Sequence, residues 1–323
     1  MRTLKAILDE PRGFRGRLLR WYERNRRALP WRETREPYAV WVSEIMLQQT
    51  RVNAVLGHYQ RFLQRFPDVR ALAAAREADV LAAWSGLGYY RRARMMHAAA
   101  KQVVAEYGGD FPATYDALRG LPGIGRYTAA AIASIAGNEP RAVVDGNVER
   151  VVARLAGRVV PTPQVWDFAE RVLDVKRPGD FNQAMMELGA LVCTPVGPRC
   201  GECPVREFCR AQGELKTRAQ APRRRKVVGY VYARERGRVL LVQREVQARL
   251  MAGMWELPEV ECNGVKPVLE LRHSITTTDY RVKVYAGTSG KGKWIATRRL
   301  ASLPLTGLAR KVLTRLGAIA SPA

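Results

Sequence analysis

Four cysteines crowd into one short stretch as Cys193-x6-Cys200-x2-Cys203-x5-Cys209, while the fifth, Cys262, stands apart. Four thiolates in a compact loop can surround a metal centre, either a zinc ion or an iron–sulfur cluster. Zinc ribbons usually present two close Cys-x2-Cys pairs separated by a longer span, and here only one pair has that spacing. The pattern therefore favours a 4Fe–4S cluster held by Cys193, Cys200, Cys203 and Cys209. Arg199, Arg206 and Arg210 beside them suggest contact with phosphate, against the plainer reading of a solvated charged loop. A disulfide framework is not expected in a chain this long without an export signal. His58, His97 and His273 are too scattered for a metal site and read as surface or capping residues.

A second signal is Leu121-Pro-Gly-Ile-Gly-Arg126, set between TYDALRG and a run of small residues. Gly123 and Gly125 let the backbone turn tightly and approach a ligand without a Cβ in the way. The helix start that follows offers free N–H groups and a positive dipole end to a phosphate oxygen. Many helix hairpins contain Pro-Gly-x-Gly, so the motif alone is weak. In a strongly basic chain it reads as a helix–hairpin–helix DNA clamp.

Two acids in unlike settings come third. Glu44 falls in the helical stretch AVWVSEIMLQQT, with Val40, Trp41 and Leu47 at i−4, i−3 and i+3. A carboxyl so surrounded should have a raised pKa and hold a proton near neutrality. Asp145, in VVDGNVERVV, sits at a helix start, where Asp is a favoured N-cap in any protein. A proton donor paired with an ionised carboxylate is what cleavage of a glycosidic bond requires, through an oxocarbenium-like transition state. An N-glycosidic bond in DNA asks for the same: protonate the base, then stabilise the sugar cation.

These groups need a scaffold, and the 323 residues suffice for two domains. Residues 1–212 carry apolar residues at helical spacing between Gly and Pro punctuation, as in GFRGRLLRWYERNRR and RYTAAAIASIAG. The polar, basic stretch 213–226 reads as a linker. Beyond it, in 227–323, VVGYVYAR and VLLVQRE flank the turn-like ERGR and predict a hairpin. RVKVYAG predicts another strand, and TGLARKVLTRLGAI an amphipathic helix with Leu308, Val312, Leu313 and Leu316 on one side. The expected fold is a mainly helical domain followed by a small α+β one. Lys and Arg outnumber Asp and Glu by 54 to 30, a net charge of +24 that points to a polyanionic partner. No apolar run approaches the ~18 residues that span a bilayer, and the N-terminus lacks a signal-peptide core. The expectation is a cytoplasmic protein, nucleoid-associated if the source is prokaryotic.

Together the hairpin, the downstream aspartate and the cysteine loop resemble the endonuclease III superfamily of base-excision glycosylases. WVSEIMLQQTRV, GLGYYRRAR, LPGIGRYTAAAI, VVDGNVERV and FNQAMMELGALVCTP are similar to the MutY-type adenine DNA glycosylases, in order over most of residues 15–210. The resemblance implies that Glu44 is the general acid that protonates N7 of adenine. It implies that Asp145 stabilises, or transiently bonds, the sugar cation at C1′, with Tyr127 and Asn147 in support. Lyase-competent members of the superfamily carry a lysine where Tyr127 stands. A phenol cannot form the Schiff base, so a monofunctional enzyme leaving an abasic site is implied. Leu29, Trp31, Arg32 and Gln183 match positions lining the pocket for the extruded adenine, since a stacked base is out of reach of these groups. Gln49 and Tyr89 match residues entering the base stack. Thr50 and Leu87 match contacts to the opposite base. Leu29 and Trp31 could equally be ordinary core residues.

The resemblance also implies a Nudix-like C-terminal domain that inspects 8-oxoguanine opposite the adenine, opened here by VLLVQRE and LMAGMWELPEV. No Nudix hydrolase box is present, so pyrophosphohydrolase activity is not expected. The family's Phe-Ser-His triplet aligns with Ile275-Thr276-Thr277, which loses the aromatic wedge and the imidazole; Thr276 keeps a hydroxyl. About a dozen residues separate WELP from that strand, so a helix of the family domain is expected to be missing or shortened. The implied partner is duplex DNA carrying A·8-oxoguanine or A·G mispairs, bound by a monomer and not by a membrane-associated form. A T·G-specific thymine glycosylase shares the cluster, hairpin and tyrosine; Glu44 and the C-terminal domain favour adenine. A non-catalytic iron–sulfur DNA-binding protein or a redox carrier would leave the two carboxylates unexplained.

Overall fold

The computed structural model describes residues 4–215, 223–245, 247–248, 250–262, 265–275, 277–287 and 291–320. The chain forms two compact units. One comprises Met1–Leu63, Asp68–Arg70 and Ala99–Ala219, the other Gln64–Pro67, Ala71–Ala98 and Gln220–Ala323. No helix among the described residues is long and apolar enough to cross a membrane.

As expected, the chain up to the cysteine loop is helical. Its helices are α1 (Leu4–Asp9), α2 (Pro11–Asn25), α3 (Pro37–Leu47), α4 (Val52–Arg65), α5 (Val69–Ala74), α6 (Glu77–Trp84), α7 (Arg91–Glu106), α8 (Tyr115–Arg119), α9 (Arg126–Ile135), α10 (Gly146–Ala156), α11 (Thr162–Val172) and α12 (Pro178–Leu191). Prolines open α2, α3 and α12 at the first turn, where a missing N–H costs nothing. Helix α10 starts on the Asp145 cap and stops at Gly157, whose φ of +71° closes the last turn. Its buried Val148, Val151, Val152 and Leu155 form an i, i+3, i+4, i+7 stripe. That stripe packs with Phe14, Phe168, Phe181 and Phe208 in the core of the first unit. Helix α3 is buried from Val40 to Met46, so any polar side chain it carries there is taken out of water.

The second unit holds two sheets. Strands β1 (Arg224–Tyr232), β2 (Arg234–Glu235), β3 (Arg238–Gln243), β4 (Trp255–Glu256), β5 (Glu259–Val260), β6 (Leu269–Ile275), β7 (Thr278–Ala286) and β8 (Lys293–Ala296) precede α13 (Gly307–Arg315). One sheet runs β5-β1-β7-β6; the other runs β2-β3-β4, with β8 also on β3. Helix α13, capped by the Thr306 side chain, buries Leu308, Val312 and Leu313 against Leu271, Val282 and Val284 as its pattern required.

Three sequence expectations are corrected. VVGYVYAR and VLLVQRE do not form one hairpin. The first pairs in parallel with β7 over its whole length, and the chain leaves that sheet at buried Ala233 before a short β2–β3 turn. Arg224, Arg225 and Lys226, read as linker, open β1 because their backbones pair with Thr278, Asp279 and Tyr280; residues 216–222 lie outside the described residues. His97 is neither surface nor cap but lies buried in α7, and His273 is half-buried in β6. Between β5 and β6 no helix occurs among the described residues. The stretch 71–98 groups with the C-terminal sheets: Ser85 Oγ and Tyr90 Oη both donate to the Leu305 carbonyl, at 2.7 and 3.1 Å.

Candidate active site and cysteine loop

Glu44 is buried on α3, and the Tyr127 hydroxyl of α9 donates to its Oε2 at 3.0 Å. Burial pushes the Glu44 carboxyl up to about 7. The Tyr127 hydrogen bond opposes that rise, the negative charge of Asp145 adds to it, and the Arg32 cation opposes it again. Tyr127 itself is raised well above an ordinary phenol by the same burial and by both carboxylates. Tyr127 is therefore a neutral donor at any working pH.

Asp145 is the helix cap that its position suggested, and its second oxygen has a side-chain partner. Its Oδ1 accepts from the Val148 N–H at 2.8 Å as a helix cap, while Oδ2 accepts from Asn147 Nδ2 at 2.7 Å. Asn147 in turn accepts from Arg150 at 2.8 Å, and Arg150 donates to the Gly189 and Cys193 carbonyls, each at 2.8 Å. A Cβ at Gly189 would lie 2.5 Å from Asn147 Cβ, so only glycine lets α12 approach α10 here. Four of the expected residues, Glu44, Tyr127, Asp145 and Asn147, thus share one neighbourhood.

The segment before α3 forms a second cluster. Leu29 and Trp31 are buried, with Trp31 edge-on to Tyr59. Arg32 and Gln183 line a cavity of about 410 Å³, together with Arg35, Lys176, Arg177 and Asp180. Glu187, which the sequence reading did not single out, anchors this cluster. It is 1% exposed and accepts Arg32 Nη1 and Nη2, both at 2.8 Å. The only sequence signal for it is its place on α12, one helical turn after Gln183 and so on the same face.

Cys193, Cys200, Cys203 and Cys209 are half-buried after α12: Cys200 opens the 3-10 turn Cys200–Glu202, Cys203 follows it, Cys209 follows the turn Arg206–Phe208, and Cys193, Cys203 and Cys209 pack on the first unit's core. Burial pushes the Cys203 thiol up to about 11, and the other three sulfurs are near enough to raise it further. Donors already point at the sulfurs: Arg154 Nη1 at Cys193 Sγ, 3.3 Å, and the Gln212 N–H at Cys209 Sγ, 3.5 Å. Such donors suit thiolate ligands. Among the described residues no three His, Cys, Asp or Glu side chains converge as ligands of a single ion.

The hairpin between α8 and α9 is formed as expected, with Gly123 at φ +77°. Gly125 has an ordinary φ of −85°, and a Cβ there would meet nothing within 4 Å. Neither the protein's packing nor its backbone demands glycine at 125. Gln49 is exposed at φ +55°, next to half-buried Thr50. In the second unit Tyr89 is 44% exposed at φ +49°, whereas Leu87 is buried. Thr276 lies outside the described residues.

A helical hairpin with an open glycine, beside a buried carboxyl facing an aspartate, defines a helix–hairpin–helix protein with a candidate glycosidase pair. Residues 42–165 match the model of the HhH-GPD superfamily base excision DNA repair protein. The human adenine DNA glycosylase is 48% identical over 222 residues, 64% of this chain and 41% of that protein. The Arabidopsis thaliana adenine DNA glycosylase is 41% identical over 308 residues, 79% of this chain and 48% of that protein. The chain thus spans less than half the length of these two relatives. Among solved structures, a thermostable thymine-DNA glycosylase superposes with a TM-score of 0.58 at 29% identity, over 62% of this chain and 94% of that one. The MutY-type resemblance seen in the sequence is borne out by the adenine-specific relatives.

Proposed function

We propose that the protein is a monofunctional adenine DNA glycosylase that releases adenine mispaired with 8-oxoguanine or guanine and leaves an abasic site. The carrying observation is Glu44: a buried carboxyl, raised to about 7, that shares its neighbourhood with Asp145. At neutral pH such a group holds a proton on about half the molecules, so it can donate to N7 of an extruded adenine. Asp145, fixed by the Val148 N–H and Asn147, presents a carboxylate to the sugar cation as the bond opens. Tyr127 orients Glu44 and, being a phenol, offers no amine for strand cleavage. Leu29, Trp31, Arg32 and Gln183 bound the base pocket.

The open Gly125 supports phosphate docking at the hairpin, with Gln49, Thr50, Leu87 and Tyr89 as the residues that meet the bases. The cysteine loop is assigned a 4Fe–4S cluster ligated by Cys193, Cys200, Cys203 and Cys209. When bound, it would tie the four cysteines of that loop to one another. Residues 1–212 carry the glycosylase function, and the sheets from β1 onward act as a Nudix-like reader of 8-oxoguanine. With Ile275-Thr276-Thr277 in place of Phe-Ser-His, that reader keeps the hydroxyl at the serine position. Loss of one well-placed polar contact costs ~1–3 kcal/mol of discrimination.

Single-turnover base release from duplexes carrying A·8-oxoguanine, A·G and T·G tests this reading. Adenine release quickest opposite 8-oxoguanine is expected. Equal adenine rates would retain the chemistry and remove the lesion reader. Thymine release without adenine release would overturn the role of Glu44.

A further inference from the structure

Glu187 is a heavily hydrogen-bonded carboxylate of the first unit, yet the mechanism above does not use it. Its two oxygens accept five hydrogen bonds: the Arg27 N–H and Nε at 2.9 Å, Arg27 Nη2 at 2.6 Å, and both terminal nitrogens of Arg32 at 2.8 Å. Arg32 also donates to the Arg27 carbonyl at 3.1 Å and lies over the Tyr22 ring, 5.6 Å from its centroid. The Arg32 side chain is 10% exposed, so its charge is hardly screened by water, whereas that of Arg27 is 36% exposed. A cation this buried is tolerated because a carboxylate meets it in bidentate geometry.

The charged and titratable groups acting on Glu44 come from three elements. Tyr127 belongs to α9, Asp145 to α10, and Arg32 to the turn before α3. Helix α12 contributes Met186, whose sulfur accepts from the Tyr127 hydroxyl at 3.5 Å, and Glu187 behind Arg32. Of these groups Arg32 alone is a cation, and an uncompensated cation draws the proton off a neighbouring carboxyl. Glu187 stays ionised throughout the working range. Burial would raise its carboxyl, but the Arg32 and Arg27 hydrogen bonds outweigh burial and hold it down to about 2.

We propose that Glu187 is a positioning residue for base release: it fixes the Arg32 guanidinium at the edge of the base pocket and neutralises it, so that Glu44 remains a proton donor. This rests on the glycosylase reading of the site and deepens it. A clamp that only held the fold together would slow the enzyme equally at every pH. A charge balance moves the pH dependence.

The test is adenine release by the full-length protein between pH 5 and pH 9, for wild type, Glu187→Gln and Glu187→Asp. Wild-type release should fall as pH rises through about 7. In Glu187→Gln that limb should move down by on the order of one pH unit, so that release at pH 8, taken relative to the same variant's release at pH 5, falls roughly tenfold further than in wild type. Glu187→Asp keeps the charge and should keep the limb in place even if it is slower overall. Removing the second cation in Arg27→Gln/Glu187→Gln should return the limb part of the way. A uniform loss with an unmoved limb would overturn the proposal. Should the wild type release no adenine from any duplex, the glycosylase reading fails. The inference is then decided by infrared titration of the Glu44 carboxyl band, identified by its loss in Glu44→Gln. A band titrating at lower pH in Glu187→Gln supports the charge balance, and an unmoved one refutes it.

Discussion

Replacing Glu44 by glutamine keeps the side chain's volume and an acceptor for the Tyr127 hydroxyl, and removes the ionisable proton. The folded carboxyl titrates at about 7 against an ordinary 4.5, because burial disfavours its charged form. Between those two values the folded protein holds a proton that the unfolded chain has released. Wild-type stability must therefore fall as pH rises through this window, and below it the group contributes no difference. At ~1.4 kcal/mol per pH unit the full cost above pH 7 is on the order of 3 kcal/mol. The glutamine variant escapes that cost. Denaturant unfolding should show it close to wild type near pH 5 and about 3 kcal/mol more stable at pH 8, with a higher midpoint and an unchanged slope. Single-turnover adenine release should be abolished at both pH values while duplex binding persists. A stability difference that does not grow with pH would show that Glu44 is not held protonated by burial. Undiminished base release would remove it from the chemistry.

Asp145→Asn preserves the cap on the Val148 N–H, so melting should change by less than ~1 kcal/mol. Base release should fall by at least ~100-fold; a rate near wild type would leave Asp145 a cap alone. Tyr127→Phe removes the donor that stabilises the ionised form of Glu44, so adenine release should persist to higher pH than in wild type. A limb displaced to lower pH would contradict that geometry. Arg154→Leu deletes a buried guanidinium that serves Cys193 Sγ and the Thr194 and Pro195 carbonyls. Iron content per chain after gel filtration should drop with it, and full iron retention would separate the arginine from the cluster.

How much of this was legible depended on the range of the interaction. Glu44 was found because its apolar neighbours lie within one helical turn; Val40 and Trp41 are indeed buried around it. Asp145 was left between cap and catalyst because local sequence cannot tell which oxygen does which, and the structure gives each oxygen its own partner. Glu187 was passed over because its arginines lie 155 and 160 residues away, and an ion pair across that separation leaves no periodic trace. The misassigned hairpin has the same origin. The turn at Arg236–Gly237 is real, with both residues at positive φ, but β1 is claimed by a parallel partner some fifty residues downstream. A local turn signal carries no information about that partner. His97 was misplaced because α7 is rich in small and flexible side chains, whose weak amphipathic pattern does not mark which face is covered.

These placements also bear on how a chain of +24 keeps an acid protonated at all. A cationic protein lowers carboxyl pKa values in general, since its field favours the anion. The site opposes that field locally. Burial removes the water that would solvate the Glu44 anion, Asp145 supplies a fixed negative charge, and Glu187 answers the nearest buried cation. Bound duplex, as proposed, adds phosphate charge of the same sign as Asp145 and so raises the Glu44 proton affinity further. The basic surface and the buried acid then act together: the surface gathers the polyanion, and the polyanion's field offsets the charge that would otherwise strip the proton needed to release the base.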